Sequence, residues 1–282
     1  MKVVVANTAG FCMGVRRALG IVLDAAADAS TPLFTFGPLI HNNQVVQLLE
    51  ERGIRAIDAP DDAVGGRAVL RAHGVTKEEL RDFGELGVSV IDATCPKVQR
   101  SERFVDEMAE RGKPVIIVGD RGHAEVRALA SRAGGEVHVI SSTEEALAVQ
   151  PSSTPVLVAQ TTMNEERYRK IAAILADRFP GIEILDSICS ATHERQAEVR
   201  ELAGNVDAVV VVGGPHSANT MRLLEIARET DKPAFFVETA DALPVEELER
   251  FHTVGVTAGA STPGWVTSAV VDKLKRIGRG AW

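Results

Sequence analysis

The sequence predicts an α/β fold: three pseudo-equivalent α/β units with mostly parallel sheets, arranged around a central site. Three observations predict it. Short β-branched runs alternate with stretches of helical period, the pattern of parallel sheets with helices on their faces. The same ordered elements recur three times along the chain. Each of the three cysteines stands between a strand and a helix.

The first unit opens with a strand at Lys2–Ala6 and a helix at Gly14–Ala27, where Val15, Ala18, Leu19 and Val22 share one face. Strands follow at Pro32–Phe36, Ala68–Ala72 and Val88–Asp92. The second unit pairs a helix at Val98–Arg111 with strands at Pro114–Val118, Glu136–Ile140, Pro155–Ala159 and Ile182–Leu185, and a helix at Glu165–Phe179. The third has helices at Arg195–Leu202 and Thr220–Glu229 and strands at Ala208–Val212, Ala234–Val237 and Thr253–Thr257.

The cysteines mark the repeat. Cys12, Cys95 and Cys189 follow VVVANTAGF, SVIDAT and IEILDSI. Counting forward to a histidine beyond the next strand gives His41 at +29, His123 at +28 and His216 at +27. A third match lies after another strand: His73, Thr161 and Ser261. The 282 residues therefore divide into expected units 1–94, 95–188 and 189–282. Ligands in α/β sheets sit beyond the carboxyl ends of the strands, where all nine marked positions fall.

Composition removes several classes. Hydrophobic content of 45% and charged content of 25% are ordinary for a globular protein. With nine Phe, two Trp and one Tyr, base stacking cannot carry binding. A net charge of −8 argues against nucleic acid or an anionic membrane as partner. The longest apolar runs, Val115–Val118 and Val209–Val212, are strand-sized and do not span a membrane. MKVVVANTAG reads as a strand and a turn rather than a signal or transit peptide, so the expected location is cytoplasmic. Three cysteines, none in a CxxC, exclude a disulfide framework.

Three thiolates from three units suit a metal centre. Iron–sulfur cubanes usually take four, so three would leave one iron without a protein ligand. That iron is open to polarise a substrate oxygen. A helix N-terminus, with its partial positive charge and free N–H groups, suits a sulfur anion. The plainer reading is three buried free thiols. A zinc site of Cys and His also remains open, although the seven histidines show no compact zinc spacing.

A polar set accompanies the cysteines. His41, His73, His123, Thr161, Ser217, Asn219 and Ser261 lie at strand ends among small residues. Histidines, hydroxyls and helix N-terminal N–H groups together hold anions such as a diphosphate. Taken singly, Ser217 and Asn219 read as helix caps. Glu125, two residues after His123 at a helix start, reads either as an acid serving a leaving hydroxyl or as a charge favoured by the helix dipole.

The blocks AGFCMGVRRA, HNNQVV, RAHGVT, DATCPKV, GHAEV, AQTTM, ICSAT and GVTAGAST, in this order from Ala9 to about Pro263, resemble the 4-hydroxy-3-methylbut-2-enyl diphosphate reductase (IspH/LytB) family. The resemblance implies the last step of the non-mevalonate isoprenoid pathway. In that step an oxygen-sensitive 4Fe–4S cluster reductively removes the C4 hydroxyl, giving isopentenyl and dimethylallyl diphosphates. Two electrons and two protons are consumed, the electrons coming from ferredoxin or flavodoxin. It implies Cys12, Cys95 and Cys189 as cluster ligands, with one iron lacking a protein ligand. It implies His41, His73 and His123 as diphosphate or pocket contacts, with His123 among the catalytic set. Glu125 would be the proton source and Thr161 the residue that orients the hydroxyl and relays protons. Ser217, Asn219 and Ser261 would bind the diphosphate.

The chain departs from the family pattern in one block. Where the family commonly reads GxxNSSN, this chain reads GGPHSAN, with His216 for Asn and Ala218 for the second Ser. One hydroxyl contact is lost, and His216 is a possible replacement donor. The departure leaves open a paralogue acting on a different allylic diphosphate. A non-enzymatic iron–sulfur sensor is a third reading, but it needs neither Glu125 nor Thr161, and no basic DNA-reading helix is visible.

Overall fold

Alternation of strand and helix runs through the whole computed structural model, which describes residues 1–28 and 30–277. The chain begins with β1 (Lys2–Val5), α1 (Met13–Ala26), β2 (Leu33–Phe36), α2 (Asn43–Glu50), β3 (Arg55–Ile57), β4 (Arg67–Leu70), α3 (Lys77–Glu85) and β5 (Ser89–Asp92). It continues with α4 (Pro96–Glu110), β6 (Val115–Val118), α5 (Ala124–Arg132), β7 (Val137–Ile140), α6 (Thr143–Ala148), β8 (Val156–Ala159), α7 (Glu165–Arg178) and β9 (Glu183–Ile184). It ends with α8 (Ser190–Gly204), β10 (Ala208–Val212), α9 (Ala218–Arg228), β11 (Ala234–Val237), α10 (Val245–Leu248), β12 (Thr253–Ala258) and α11 (Gly264–Ile277).

The strands form three four-stranded sheets, every pairing parallel. Two have the orders β3-β2-β4-β5 and β7-β6-β8-β9, in which the first strand lies between the second and third and the fourth flanks the third. The remaining sheet, β11-β10-β12-β1, has the same order, with the first strand of the chain in fourth place. The predicted α/β class with three equivalent sheets is therefore the observed one.

The chain divides into two compact units. One comprises Met1–Val15, Ile40–Val45 and the chain from Ser190 onward, and it holds the sheet containing β1. Its β10 is the continuously apolar AVVVV, buried along its whole length as expected of a parallel strand covered on both faces. Val210 and Val212 pack with Val266, Val270 and Leu274 of α11. Val209 and Val211 pack with Val199 and Leu202 of α8 and Leu223 and Ile226 of α9.

The other unit comprises Arg16–Leu39 and Val46–Cys189 and holds the other two sheets. Its β6, VIIV, is fully buried, with Ile116 and Val118 against Ile171 and Leu175 of α7. On its other face Val115 and Ile117 meet Val105 and Met108 of α4 and Leu129 of α5. In the sheet containing β2, Phe36 meets Phe83 of α3 edge-to-face at 5.0 Å. Helix α3 starts where Thr76 and Glu79 form a reciprocal capping box.

Strand registers align the repeats more finely than the sequence does. Phe36, Val118 and Val212 end the first strands of the three sheets, opposite Leu70, Ala159 and Ala258. Five residues beyond the first strand lie His41, His123 and Ser217. Ser217, rather than His216, is thus the structural equivalent of the two histidines, and the count of +27 is one residue short. His216 is exposed. Among the described residues, no helix is long and apolar enough to cross a membrane.

Candidate active site

All three cysteines are partly buried. Each is held by its backbone at the same place in its repeat. The N–H of Cys12 donates to Ala260 O at 3.1 Å, that of Cys95 to Ala72 O at 3.0 Å, and that of Cys189 to Thr161 O at 3.0 Å. The three acceptors each stand two residues beyond the end of the third strand of their sheet. Thr161 therefore occupies the frame of Ala72 and Ala260, one residue earlier than the sequence match to His73 and Ser261 implies.

Local sequence sets each cysteine at a helix start. Cys95 is the N-cap of α4, followed by Pro96 in the first turn, where a missing N–H costs nothing. The Cys12 sulfur accepts from Val15 N–H in the first turn of α1 at 3.4 Å. Cys189 immediately precedes α8. Its approach is pinned by Ser187, whose Oγ accepts from Ala159 N–H at 2.7 Å.

In the unit that holds β6, Glu125 is 1% exposed, and its carboxylate is gripped by Thr161. The Thr161 N–H donates to Oε1 at 2.7 Å and the Thr161 hydroxyl to Oε2 at 2.9 Å. Burial pushes the Glu125 carboxyl up to about 7, although the two Thr161 bonds oppose it. The nearby Glu102 carboxylate adds a smaller push upward. This depth does not suit a surface charge placed to complement a helix dipole.

His123 is the N-cap of α5, and its Nδ1 accepts from Glu125 N–H at 3.2 Å. His73 lies edge-on to His123, ring centroids 5.4 Å apart. The chain turns sharply after His73 at Gly74, whose φ is +79°. A Cβ there would lie 2.6 Å from Glu102 Oε1.

The other unit gathers the remaining polar residues. Ser261 Oγ lies 3.2 Å from His41 O and 3.1 Å from Ser217 Oγ. Ser217 caps α9, accepting from Thr220 N–H at 3.3 Å. Asn219, in the first turn of α9, is 4% exposed, and its Nδ2 donor has no protein partner among the described residues. Two hydroxyls, an amide donor and a helix N-terminus make a neutral group of the kind that can hold an anion. Ala218, between Ser217 and Asn219, brings no hydroxyl to it.

Two buried residues had no visible role in the sequence. Arg71 (8% exposed) donates from Nε to Gly74 O at 3.1 Å and so shapes the turn after His73. Gln160 is fully buried, accepts from Asp120 N–H at 3.0 Å and donates to Thr162 Oγ1 at 2.8 Å. It ties the loop before His123 to the Thr161 segment. The one local hint is glycine. Gly37 has φ +67° and would put a Cβ 2.6 Å from Arg71 Nη1, while a Cβ at Gly119 would lie 2.9 Å from Gln160 Cβ. Of the remaining histidines, His138 pairs with Glu136 at 2.6 Å, and His193 and His252 are exposed.

Fold and site together define an α/β protein with one cysteine at a helix start in each of three equivalent repeats, a buried acid–hydroxyl pair in one unit and a cluster of neutral polar groups in the other. The chain belongs to the LytB protein family, whose model matches residues 3–275. It is 36% identical over 280 residues to a 4-hydroxy-3-methylbut-2-enyl diphosphate reductase of Alkaliphilus oremlandii, covering 98% of this chain and all of that one. It is 40% identical over 278 residues to the enzyme of the same name from Geobacter sp. (strain M21), covering 98% of each. Among solved structures it matches the E-1-hydroxy-2-methyl-but-2-enyl-4-diphosphate reductase of Plasmodium falciparum with a TM-score of 0.92 and 27% identity, over 96% of this chain and 87% of that one. It also matches an (E)-4-hydroxy-3-methyl-but-2-enyl diphosphate reductase, described as the terminal enzyme of the non-mevalonate pathway. There the TM-score is 0.69 and the identity 32%, over 98% of this chain and all of that one.

Proposed function

We propose that this chain is a 4-hydroxy-3-methylbut-2-enyl diphosphate reductase that removes the C4 hydroxyl to give isopentenyl and dimethylallyl diphosphates. The observation that carries the reading is the repeated backbone support of Cys12, Cys95 and Cys189, combined with full-length similarity to reductases of that name. Three thiols at helix starts fit a 4Fe–4S cluster with one iron free of protein ligands. When bound, the cluster would supply electrons and one Lewis-acidic position.

The chain's own residues supply binding and proton chemistry. The substrate's C4–O bond breaks, two electrons and two protons enter, and water leaves. Glu125, pushed up to about 7 by burial, is partly protonated near neutral pH and can both hold and release a proton there. The Thr161 hydroxyl donates to the Glu125 carboxylate at 2.9 Å, and once the acid is protonated its own O–H can donate to the Thr161 oxygen instead. That pair can deliver a proton to the departing oxygen, with Thr161 orienting the hydroxyl. His123, His73 and His41 contact the substrate and its diphosphate. Ser217, Asn219 and Ser261 hold the diphosphate oxygens, the spare Asn219 donor being satisfied on binding.

Electrons come from a small carrier, ferredoxin or flavodoxin. Thiolate ligation needs a reducing compartment, which agrees with a cytoplasmic location. The test is anaerobic purification followed by titration with the hydroxylated diphosphate. A brown protein whose cluster absorption changes on titration is expected. A colourless protein without iron and sulfide would overturn the reading.

A further inference from the structure

Three arginines repeat a contact that the roles above do not use. Helix α1 follows Cys12 and carries Arg17, whose Nη1 donates to Thr94 O at 3.0 Å, one residue before Cys95. Helix α4 follows Cys95 and carries Arg100, whose Nη1 donates to Asp186 O at 3.3 Å, three residues before Cys189. Helix α8 follows Cys189 and carries Arg195, whose Nη2 donates to Gly10 O at 2.7 Å, two residues before Cys12. The arginines stand five, five and six residues beyond their cysteines. The contacts run from the first cysteine's helix to the second's loop, from the second's to the third's, and from the third's back to the first's.

Chance does not readily give this order. A surface arginine has many carbonyls in reach, and fixing its long side chain costs conformational entropy. Here three such side chains all end on the loops that carry the cysteines. Arg17 and Arg100 are exposed, where such a contact is unforced, while Arg195 is 4% exposed and also donates to Ala191 O at 3.0 Å. The Cys12 loop has a further brace from α8, since Glu198 accepts from Asn7 N–H at 2.6 Å and Thr8 N–H at 2.9 Å. Each cysteine loop is thus held on two sides, by an arginine at a carbonyl one to three residues before the cysteine and, at the cysteine's own N–H, by a carbonyl two residues beyond the third strand.

We propose that Arg17, Arg100 and Arg195 are positioning residues that preset the three cysteine loops for the metal group, each cysteine's helix holding the loop of the next cysteine. The proposal rests on the cluster reading of the three thiols. Holding the loops in advance lowers the ordering cost that three separate segments would otherwise meet when they take up one ligand. Three guanidinium charges beside the cysteine loops also favour the reduced, more negative state of a cluster held there.

The test uses the anaerobically purified full-length holoprotein with Arg17→Gln, Arg100→Gln and the double variant, plus Arg17→Lys. Iron and sulfide per chain, the rate of iron loss to a chelator, the cluster's midpoint potential and the thermal unfolding midpoint are measured. Both single variants should lose iron roughly three- to ten-fold faster, the range of one charge-assisted bond at an exposed site. The double variant should show the product of the two effects, Arg17→Lys should recover part of the loss, and the potential should fall. The unfolding midpoint should stay near wild type. Wild-type iron-loss rates and potential in both singles and the double would overturn the proposal. So would iron loss that only tracks a fall in thermal stability, which would make the arginines mere braces. A wild-type protein that holds no iron or sulfide would instead overturn the cluster reading beneath it.

Discussion

Glu125 and Thr161 are joined twice, by Thr161 N–H to Oε1 at 2.7 Å and by the Thr161 hydroxyl to Oε2 at 2.9 Å. The Thr161 carbonyl in turn accepts from the Cys189 N–H at 3.0 Å. One residue therefore links the buried acid to a cysteine through its own backbone. The buried acid and the Cys189 segment therefore share a scaffold.

Replacing Glu125 with Gln keeps the shape and removes the proton. Turnover should fall by about 10²–10⁴-fold, the usual worth of a positioned general acid, while iron content and diphosphate affinity stay near wild type. Steady-state kinetics with iron analysis checks this. Unchanged turnover would take Glu125 out of the mechanism.

The same carboxyl makes stability depend on pH. Its folded value, about 7, is raised above the ordinary 4.5, so folding favours the protonated form. The contribution is fully present below 4.5 and is lost as pH rises through about 7. Wild type should lose about 3 kcal/mol across that window relative to Glu125→Gln. Urea unfolding of both proteins at acid and alkaline ends measures the difference, and parallel pH profiles would contradict it.

The turn after His73 depends on Gly74. An alanine there must adopt φ near +79° and place its Cβ 2.6 Å from Glu102 Oε1. Glu102 is 7% exposed and pairs with Arg132 at 3.3 Å, so it has little room to yield. Gly74→Ala should cost about 1–3 kcal/mol and raise KM through the displaced His73. Wild-type stability and KM would show that the turn tolerates a side chain.

Ala218 starts α9 between Ser217 and Asn219. Ala218→Ser adds one hydroxyl to the anion cradle and should tighten diphosphate binding about two- to ten-fold, the worth of one net hydrogen bond. Competition by inorganic diphosphate reads this directly. Unchanged inhibition would place the diphosphate elsewhere.

Much of this was legible because periodicity and local chemistry agree. The apolar runs VIIV and AVVVV are the buried central strands β6 and β10, and the strand–Cys–helix text recurs wherever a cysteine is supported by a carbonyl just beyond a third strand. The three-residue strand β3 (Arg55–Ile57) carries no β-branched run and was not predicted. The pairing of β1 with β12 joins the two ends of the chain, a non-local parallel contact that no spacing encodes. Counting residues brought the repeats into near-register but stopped at His216, a residue short of Ser217, because only the strand ends fix the frame. The grip of Thr161 on Glu125 and the arginine contacts depend on side-chain direction, which no linear spacing reveals.

The central claim is tested most directly by turnover. The protein is purified without oxygen, supplied with 4-hydroxy-3-methylbut-2-enyl diphosphate and a reduced one-electron donor, and its products are separated. Isopentenyl and dimethylallyl diphosphates should form together, with water as the only leaving group and two electrons consumed per substrate. An iron- and sulfide-loaded protein that leaves this substrate intact would contradict the account.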